Sequence, residues 1–366
     1  MNICTSHNIG CAGNFEFSKQ KINHAVAGDR LLSMEIELSL RCNFRCSYCY
    51  VPHDSYFDNE LSLDEIFGII LQAKALGAGK IILLGGEPSI YPHIQKVIKF
   101  LRHHSLEIEM FTNGTGISPD FARELRAARV RVVLKMNSFD QARQDALAGK
   151  KGAFNIIHNA LGNLKAAGYP AKDAFLALST IICRQNRDEL TKLWTWIREN
   201  NMVPYFEIIT PQGQAKDNAA LELNPLELKA VFEEICAIDR ERYGIEWDPQ
   251  PPLMGNQCMR HQFSCTVTSI GNVQPCVGIT KSIGNIRKTR LKDILDHSRE
   301  LRLLKNHRQT IKGFCRTCEK SDTCYGCRGA AFQVTGDLLA SDPLCWRNPE
   351  NLKPQSLTEL GSVDPK

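Results

Sequence analysis

Three cysteines, Cys42, Cys46 and Cys49, are spaced so that one short loop of this 366-residue chain could bind metal. A four-iron, four-sulfur cube normally takes four cysteine ligands, so three thiolates would leave one iron with an open position. That iron can chelate the amino and carboxylate groups of S-adenosylmethionine (SAM) and bring its sulfonium beside a one-electron donor. A structural zinc site that takes His53 as its fourth ligand is the alternative interpretation.

Eight further cysteines lie between residues 258 and 345, and they are Cys258, Cys265, Cys276, Cys315, Cys318, Cys324, Cys327 and Cys345. Clustered thiolates in a reducing compartment favour metal ligands over disulfides. Two sets of four would complete two more cubes, and two structural zinc sites are the alternative. Of the remaining cysteines, Cys4 and Cys11 are predicted to lie in an unliganded terminus, although His7 between them leaves a metal site open. Cys183 and Cys236 are predicted to be small buried residues.

Composition favours a cytoplasmic protein with no membrane partner. No apolar run approaches the roughly 18 residues needed to span a bilayer, and no secretory signal is visible at the start of the chain. The net charge of +5 is mild, and nucleic acid is not expected as a partner. The stretch from Lys281 to Lys312 carries ten basic and three acidic residues. It is predicted to be a solvated face, with a dock for an anionic substrate or partner as the alternative.

The pattern of apolar runs predicts an α/β fold with six strands separated by helices. The predicted strands are Ser33–Leu40, Lys80–Leu84, Glu107–Thr112, Val130–Met136, Ala174–Ile182 and Val203–Ile209. Helices are predicted to start at Ser62 with Glu65 as a capping box, at Ser118 before Pro119, and at Asn224. Six repeats imply a parallel sheet, either an open doubly wound sheet or an incomplete barrel.

The same patterns predict five segments along the chain. They are an N-terminal extension (1–32), a barrel core (33–215), a linker helix with a proline-rich joint (216–255), a cysteine-rich domain (256–348) and a polar tail (349–366). The first cysteine group follows the first strand directly, and the carboxyl ends of parallel strands are where such folds place their active sites.

Over residues 33 to 210 the chain resembles the radical SAM superfamily, whose signature is three cysteines at these spacings after the first strand of a partial six-fold β/α barrel. Gly85-Gly86-Glu87-Pro88 resembles the family motif that meets the amino group of SAM. By this resemblance the residues that contact SAM are Tyr48, Gly85, Gly86, Glu87, Asn113, Ser138 and Ile209. The family arginine after the fourth strand is missing here, and Lys135 or Lys150 is a candidate to replace it.

The second cysteine group resembles the SPASM domain, a small domain that follows the barrel in many of these enzymes and binds auxiliary iron–sulfur clusters. The resemblance implies three four-iron clusters in all, one that binds SAM and two auxiliary clusters. It assigns Cys258, Cys265, Cys276 and Cys327 to the first auxiliary cluster, and Cys315, Cys318, Cys324 and Cys345 to the second. It identifies no catalytic residue.

This resemblance implies that the protein cleaves SAM reductively to a 5′-deoxyadenosyl radical, which abstracts hydrogen from a substrate. Modification of a peptide or protein is the leading prediction, and processing of a tetrapyrrole side chain or oxidation of another small metabolite is the alternative. A non-catalytic iron–sulfur electron carrier is a third interpretation. The expected partners are the substrate, a flavodoxin-type or ferredoxin-type electron donor and, for a peptide substrate, a separate leader-peptide-binding protein.

Overall fold

The protein is described here from a computed structural model that covers residues 17–52 and 58–352. The predictions for Cys4, His7, Cys11 and His53 lie outside these residues. The first half of the N-terminal extension and the end of the tail also lie outside them.

Nine strands form one sheet in the described part of the chain, and all six predicted strands are among them. They are β1 (Ser33–Glu37), β2 (Lys80–Leu84), β3 (Glu107–Thr112), β4 (Arg131–Lys135), β5 (Leu176–Ile182), β6 (Val203–Ile208), β7 (Thr266–Val267), β8 (Asn272–Gln274) and β9 (Gly284–Asn285). Their order in the sheet is β6-β5-β4-β3-β2-β1-β7-β8-β9. Strands β1 to β6 are parallel and adjacent in chain order, as in an incomplete barrel, whereas a doubly wound sheet reverses its strand order.

Helices connect the parallel strands and continue through the cysteine-rich region. They are α1 (Lys19–Ala27), α2 (Leu63–Ala75), α3 (Ile94–His103), α4 (Pro119–Ala127), α5 (Gln141–Ala148), α6 (Ala153–Ala166), α7 (Leu190–Glu199), α8 (Pro225–Tyr243), α9 (Arg260–Phe263), α10 (Leu291–His297), α11 (Arg299–Lys305), α12 (His307–Thr310), α13 (Phe314–Thr317) and α14 (Arg328–Thr335).

The three predicted helix starts are confirmed. At α2 the backbone N–H of Glu65 donates to Ser62 Oγ at 3.2 Å, and the Glu65 carboxylate accepts from the Ser62 N–H at 2.8 Å. Pro119 is the first residue of α4, where a missing N–H leaves no hydrogen bond unmade. Asn224 caps α8 as Ser62 caps α2, because its side chain accepts hydrogen bonds from free N–H groups of the first turn.

Side chains alternate between two faces of the sheet. On the outer face, apolar side chains such as Met34 and Ile36 pack against the helices in the main core. The inner face carries a smaller apolar cluster that includes Val133, Ala177 and Tyr205. It also carries charged residues, and Glu109 there is completely buried and pairs with Lys80 and Arg131. Polar side chains therefore lie on the inner face, which extends to the carboxyl ends of the strands.

The cysteine-rich region extends this sheet instead of folding apart from it. Strand β7 runs parallel to β1, with Glu35 opposite Thr266 and Ile36 opposite Val267. Strands β8 and β9 then add to β7 in antiparallel order. Because β1 leads into the first cysteine group, this pairing places both cysteine groups beside one strand. The domain limits given above stay predictions.

Candidate active site

The first cysteine group lies at the carboxyl end of β1 and faces a cavity of about 260 Å³. Cys42, Cys46 and Cys49 all line this cavity, and among its described lining residues they are the only cysteines. Burial raises the pKa of the Cys42 thiol to about 11 and that of Cys46 to about 12. Three half-buried thiols on one wall fit a cube held by three ligands, because the iron that they leave open would face the cavity.

Three hydrogen bonds fix the cysteine loop against neighbouring elements. The backbone N–H groups of Arg45 and Ser47 donate to the carbonyls at the end of α5, at 3.0 and 3.1 Å. On the other side, the Asn113 amide reaches the sulfur of Cys42 at 3.8 Å. The loop is therefore held by α5 and by the residue that follows β3, so its position depends on more than its own sequence.

The glycine turn after β2 packs against the base of the cysteine loop. A Cβ atom on Gly86 would lie 2.1 Å from the Arg41 carbonyl oxygen, and one on Gly85 would lie 2.3 Å from that of Ser39. Gly85 also has a φ of 120°, which other residues rarely adopt. Only glycine at both positions allows this close approach.

Glu87 is directed into the protein by its hydrogen bonds. Its carboxylate is almost fully buried and accepts from the Ser89 N–H at 2.8 Å, from Thr112 Oγ1 at 2.6 Å and from the Asn113 N–H at 2.6 Å. Burial raises the pKa of Glu87, while these bonds lower it. The side chain thus ties the turn after β2 to the end of β3, which positions the Asn113 side chain.

Tyr48 and Ile209 lie on the cavity wall together, as the resemblance implies for residues that contact SAM. The Tyr48 hydroxyl accepts from the Asn137 amide at 2.6 Å, which fixes the ring. Ser138 is placed differently. Its side chain is fully buried outside the cavity lining, and its hydroxyl donates to Glu189 at 2.6 Å.

The structure distinguishes the two candidate lysines. Lys135, at the end of β4, lines the cavity, whereas Lys150 is exposed at the end of the α5 region. Lys135 Nζ lies 3.1 Å from Ser179 Oγ, 3.5 Å from the Glu207 carboxylate and 5.1 Å from the centre of the Tyr48 ring. Burial raises the pKa of the Cys46 and Cys49 thiols, and the positive charge of Lys135 partly lowers both pKa values again. The Lys135 charge therefore lies beside the cysteine loop.

One buried pair in the cavity region was missed from the sequence. Tyr50 lines the cavity, and its hydroxyl donates to the Glu37 carboxylate at 2.9 Å. Burial raises the pKa of Glu37 and also that of Tyr50. The available signal was the alternation of Glu35 and Glu37 with apolar residues in β1, which puts both acids on the inner face.

The four cysteines assigned to the second auxiliary cluster come together around one small cavity. Cys315, Cys318, Cys324 and Cys345 all line it. Burial raises the pKa of the Cys345 thiol to about 12, and the neighbouring Asp342 and the Cys315 and Cys324 thiols raise it further. Four converging thiols fit a fully ligated cube.

Three of the four cysteines assigned to the first auxiliary cluster are neighbours. Burial raises the pKa of Cys327, and the Asp342 carboxylate and the thiols of Cys258 and Cys276 raise it further. Next to them lies the phenol of Tyr325, a buried group whose pKa these thiols raise after burial. Cys265 is the exception, since it packs among apolar residues of the main core.

The basic stretch is largely neutralised by ion pairs. Six of its ten basic side chains lie within 4 Å of a carboxylate, and these are Lys281, Arg287, Lys292, Lys305, Arg308 and Lys312. Exposed pairs of this kind contribute little to stability. They favour the interpretation of the stretch as a solvated face.

The two isolated cysteines in the described chain are held by local hydrogen bonds. Cys183 is fully buried, and its thiol donates to Asn186 Oδ1 at 3.3 Å. Cys236 lies on α8 and donates to the Trp247 carbonyl at 3.2 Å.

Among the helices of the described residues, none combines the length and the apolar character that crossing a membrane requires.

Two family models match the chain. Residues 36–197 match the model of the radical SAM superfamily, and residues 258–319 match SPASM, an iron–sulfur cluster-binding domain. The matched ranges contain the first cysteine group and five of the eight later cysteines.

Similar proteins cover most of the chain. An AdoMet-dependent heme synthase from Methanosarcina barkeri is 27% identical over 339 residues, which are 86% of this chain and 95% of that protein. A PqqA peptide cyclase from Streptomyces rochei is 28% identical over 340 residues, which are 86% of this chain and 89% of that protein. The crystal structure of Streptococcus suis SuiB bound to its precursor peptide SuiA has a TM-score of 0.67 at 16% identity, and the match covers 89% of this chain and 79% of that one. At this low identity, the similarity to SuiB shows the fold alone.

Proposed function

The chain is an enzyme of the radical SAM superfamily with a C-terminal SPASM domain, and from this premise we propose that it cleaves SAM reductively to a 5′-deoxyadenosyl radical at Cys42, Cys46 and Cys49. The main support for this proposal is that the three thiols line the same cavity as the close-packed turn at Gly85 and Gly86. A cluster bound there supplies one electron to the sulfonium of SAM, and the protein supplies placement and exclusion of water.

The residues around the cavity have distinct tasks in this proposal. Gly85 and Gly86 present backbone groups to the amino group of SAM without an intervening side chain. Lys135 supplies the positive charge for its carboxylate, in place of the family arginine. Tyr48, fixed by Asn137, and Ile209 form the wall beside the adenine.

Two auxiliary clusters complete the proposed reaction. Hydrogen abstraction would move one hydrogen atom from the substrate to the 5′-deoxyadenosyl group, and a bound auxiliary cluster would accept one electron from the resulting substrate radical. As it gives up that electron, the radical would lose a proton or, for a propionate side chain, its carboxylate as carbon dioxide. The substrate is thereby oxidised by two electrons. The group of four thiols that includes Cys345 and the group of three that includes Cys276 support sites for both auxiliary clusters.

We propose a propionate-bearing tetrapyrrole as the substrate class. The heme synthase similarity supports this choice, because it extends over 95% of that relative. The basic stretch from Lys281 to Lys312 adds little further support, because six of its ten basic side chains are already paired with carboxylates.

Peptide modification, the leading prediction from the sequence, is the second candidate. The similarity to a PqqA peptide cyclase at 28% identity specifically favours it. The two candidates are separated by offering a propionate-bearing tetrapyrrole and a precursor peptide, each deuterated at its side chains, to the reduced enzyme. Deuterium appears in 5′-deoxyadenosine only with the true substrate class.

The SAM cleavage itself is tested with two cysteine variants. After anaerobic reconstitution and reduction, Cys46→Ala should form no 5′-deoxyadenosine, because the cube loses one of three ligands. Cys236→Ala should keep the parent rate, since Cys236 lies in a helix away from the cavity. Cleavage by the Cys46→Ala variant at the parent rate would refute the proposal.

A further inference from the structure

Cys265 is separated by the sheet from the cysteines with which the resemblance groups it. Thr266 pairs with Glu35 in the sheet, and its hydroxyl donates to the Glu35 carboxylate at 2.6 Å, so both side chains lie on the inner face. Alternation along the strand places Cys265 on the outer face. There it is only 1% exposed and packs in the main apolar core. Cys258, by contrast, packs against the apolar cluster of the inner face.

The other three cysteines lie together on the inner side. The turn after Cys276 packs directly on the start of α14, which follows Cys327, since a Cβ atom on Gly278 would lie 3.0 Å from the Gly329 Cα. Cys258 lies on the same side, packed against the apolar cluster of the inner face, and its thiol is close enough to interact electrostatically with the Cys276 and Cys327 thiols. This group therefore offers three thiolates.

The same turn forms part of the wall of the SAM cavity. Val277 and Gly278, the two residues after Cys276, line the cavity, and the Gln212 amide donates to the Val277 carbonyl at 3.1 Å. A group bound at Cys276 would thus be separated from the SAM cavity by this one turn.

We propose that Cys258, Cys276 and Cys327 hold the first auxiliary cluster without Cys265, and that its fourth iron binds a carboxylate of the substrate. An iron with an open position takes a hard anionic oxygen, which is the chemistry that the first cysteine group offers to SAM. The role of this iron in holding substrate rests on the proposed function. The ligand set does not.

Iron content tests the ligand set. Cys276→Val should lose about four irons per chain, the content of one cube, whereas Cys265→Val should keep the iron content of the parent. Cys265→Ala provides a second variant in case the larger valine disturbs the core, and circular dichroism checks the fold of each. Loss of about four irons from folded Cys265→Val and Cys265→Ala would overturn the proposal.

Electron paramagnetic resonance tests the open iron independently of radical chemistry. The variant Cys42→Ala/Cys46→Ala/Cys49→Ala removes the SAM cluster, so only the auxiliary clusters can respond to an added ligand. Cyanide should change the spectrum of one reduced cluster, and Cys276→Val in this background should abolish that change. A spectrum that cyanide leaves unaltered would refute the open iron. Failure of the parent enzyme to cleave SAM would refute only the proposed function.

Discussion

Replacement of Gly86 with alanine should misplace the cysteine loop without removing any ligand. The new Cβ atom would lie 2.1 Å from the Arg41 carbonyl oxygen and 2.4 Å from its carbonyl carbon, where real contacts are essentially never under 3.0 Å. Both partners are backbone atoms, so no side chain can rotate away. The loop base must move by about 1 Å, because β2 is fixed in the middle of the parallel sheet.

A displacement of about 1 Å at a reacting centre lowers rates by about 10²-fold, which corresponds to about 2.7 kcal/mol of transition-state free energy. We therefore expect kcat/KM for 5′-deoxyadenosine formation to fall by about 10²-fold in Gly86→Ala. Cys42, Cys46 and Cys49 remain, so the iron content should match that of the parent.

Gly162→Ala is the matched control for this variant. Gly162 lies inside α6 with no heavy atom within 4 Å of the added Cβ, so activity should not change. Alanine should instead stabilise the helix by about 1 kcal/mol, measured by denaturant unfolding. A Gly86→Ala enzyme with normal iron content and a rate within about threefold of the parent would contradict the close-packing argument.

Three further predictions concern single side chains. Lys135→Ala should raise the KM for SAM by about tenfold, because the variant loses one charged hydrogen bond to SAM. Lys150→Ala should leave this KM unchanged, and steady-state kinetics of both variants measures the difference. Tyr325→Phe should keep all iron but lower the reduction potential of one auxiliary cluster in a redox titration. The buried Tyr325 hydroxyl has no hydrogen-bond partner among the described residues and lies beside the Cys258 and Cys276 thiols, so it can donate to a sulfur of a bound cluster and favour the reduced form. An unchanged potential would contradict this. Asp239→Ala should lower the free energy of unfolding by about 3–5 kcal/mol in a denaturant titration, because the variant leaves the buried Arg198 without its carboxylate. A loss under about 1 kcal/mol would contradict this prediction.

Local patterns in the sequence are enough to recognise the family of the chain and the order of its elements. Ligand spacing within one loop is a local property, so Cys42, Cys46 and Cys49 can be recognised as a set from the order of the residues alone. Strand periodicity and helix capping are local as well, and for this reason the six parallel strands and the start of α2 at Ser62 were predicted correctly.

Which distant side chains meet depends instead on the tertiary structure. Lys135 could be chosen over Lys150 because β4 ends at the cavity and α5 carries the other lysine away from it. The separation of Cys265 from Cys276 depends on the pairing of β7 with β1, which fixes the face that each residue of β7 occupies. A shift of that register by one residue would exchange the two faces, and no local pattern in a two-residue strand specifies the register.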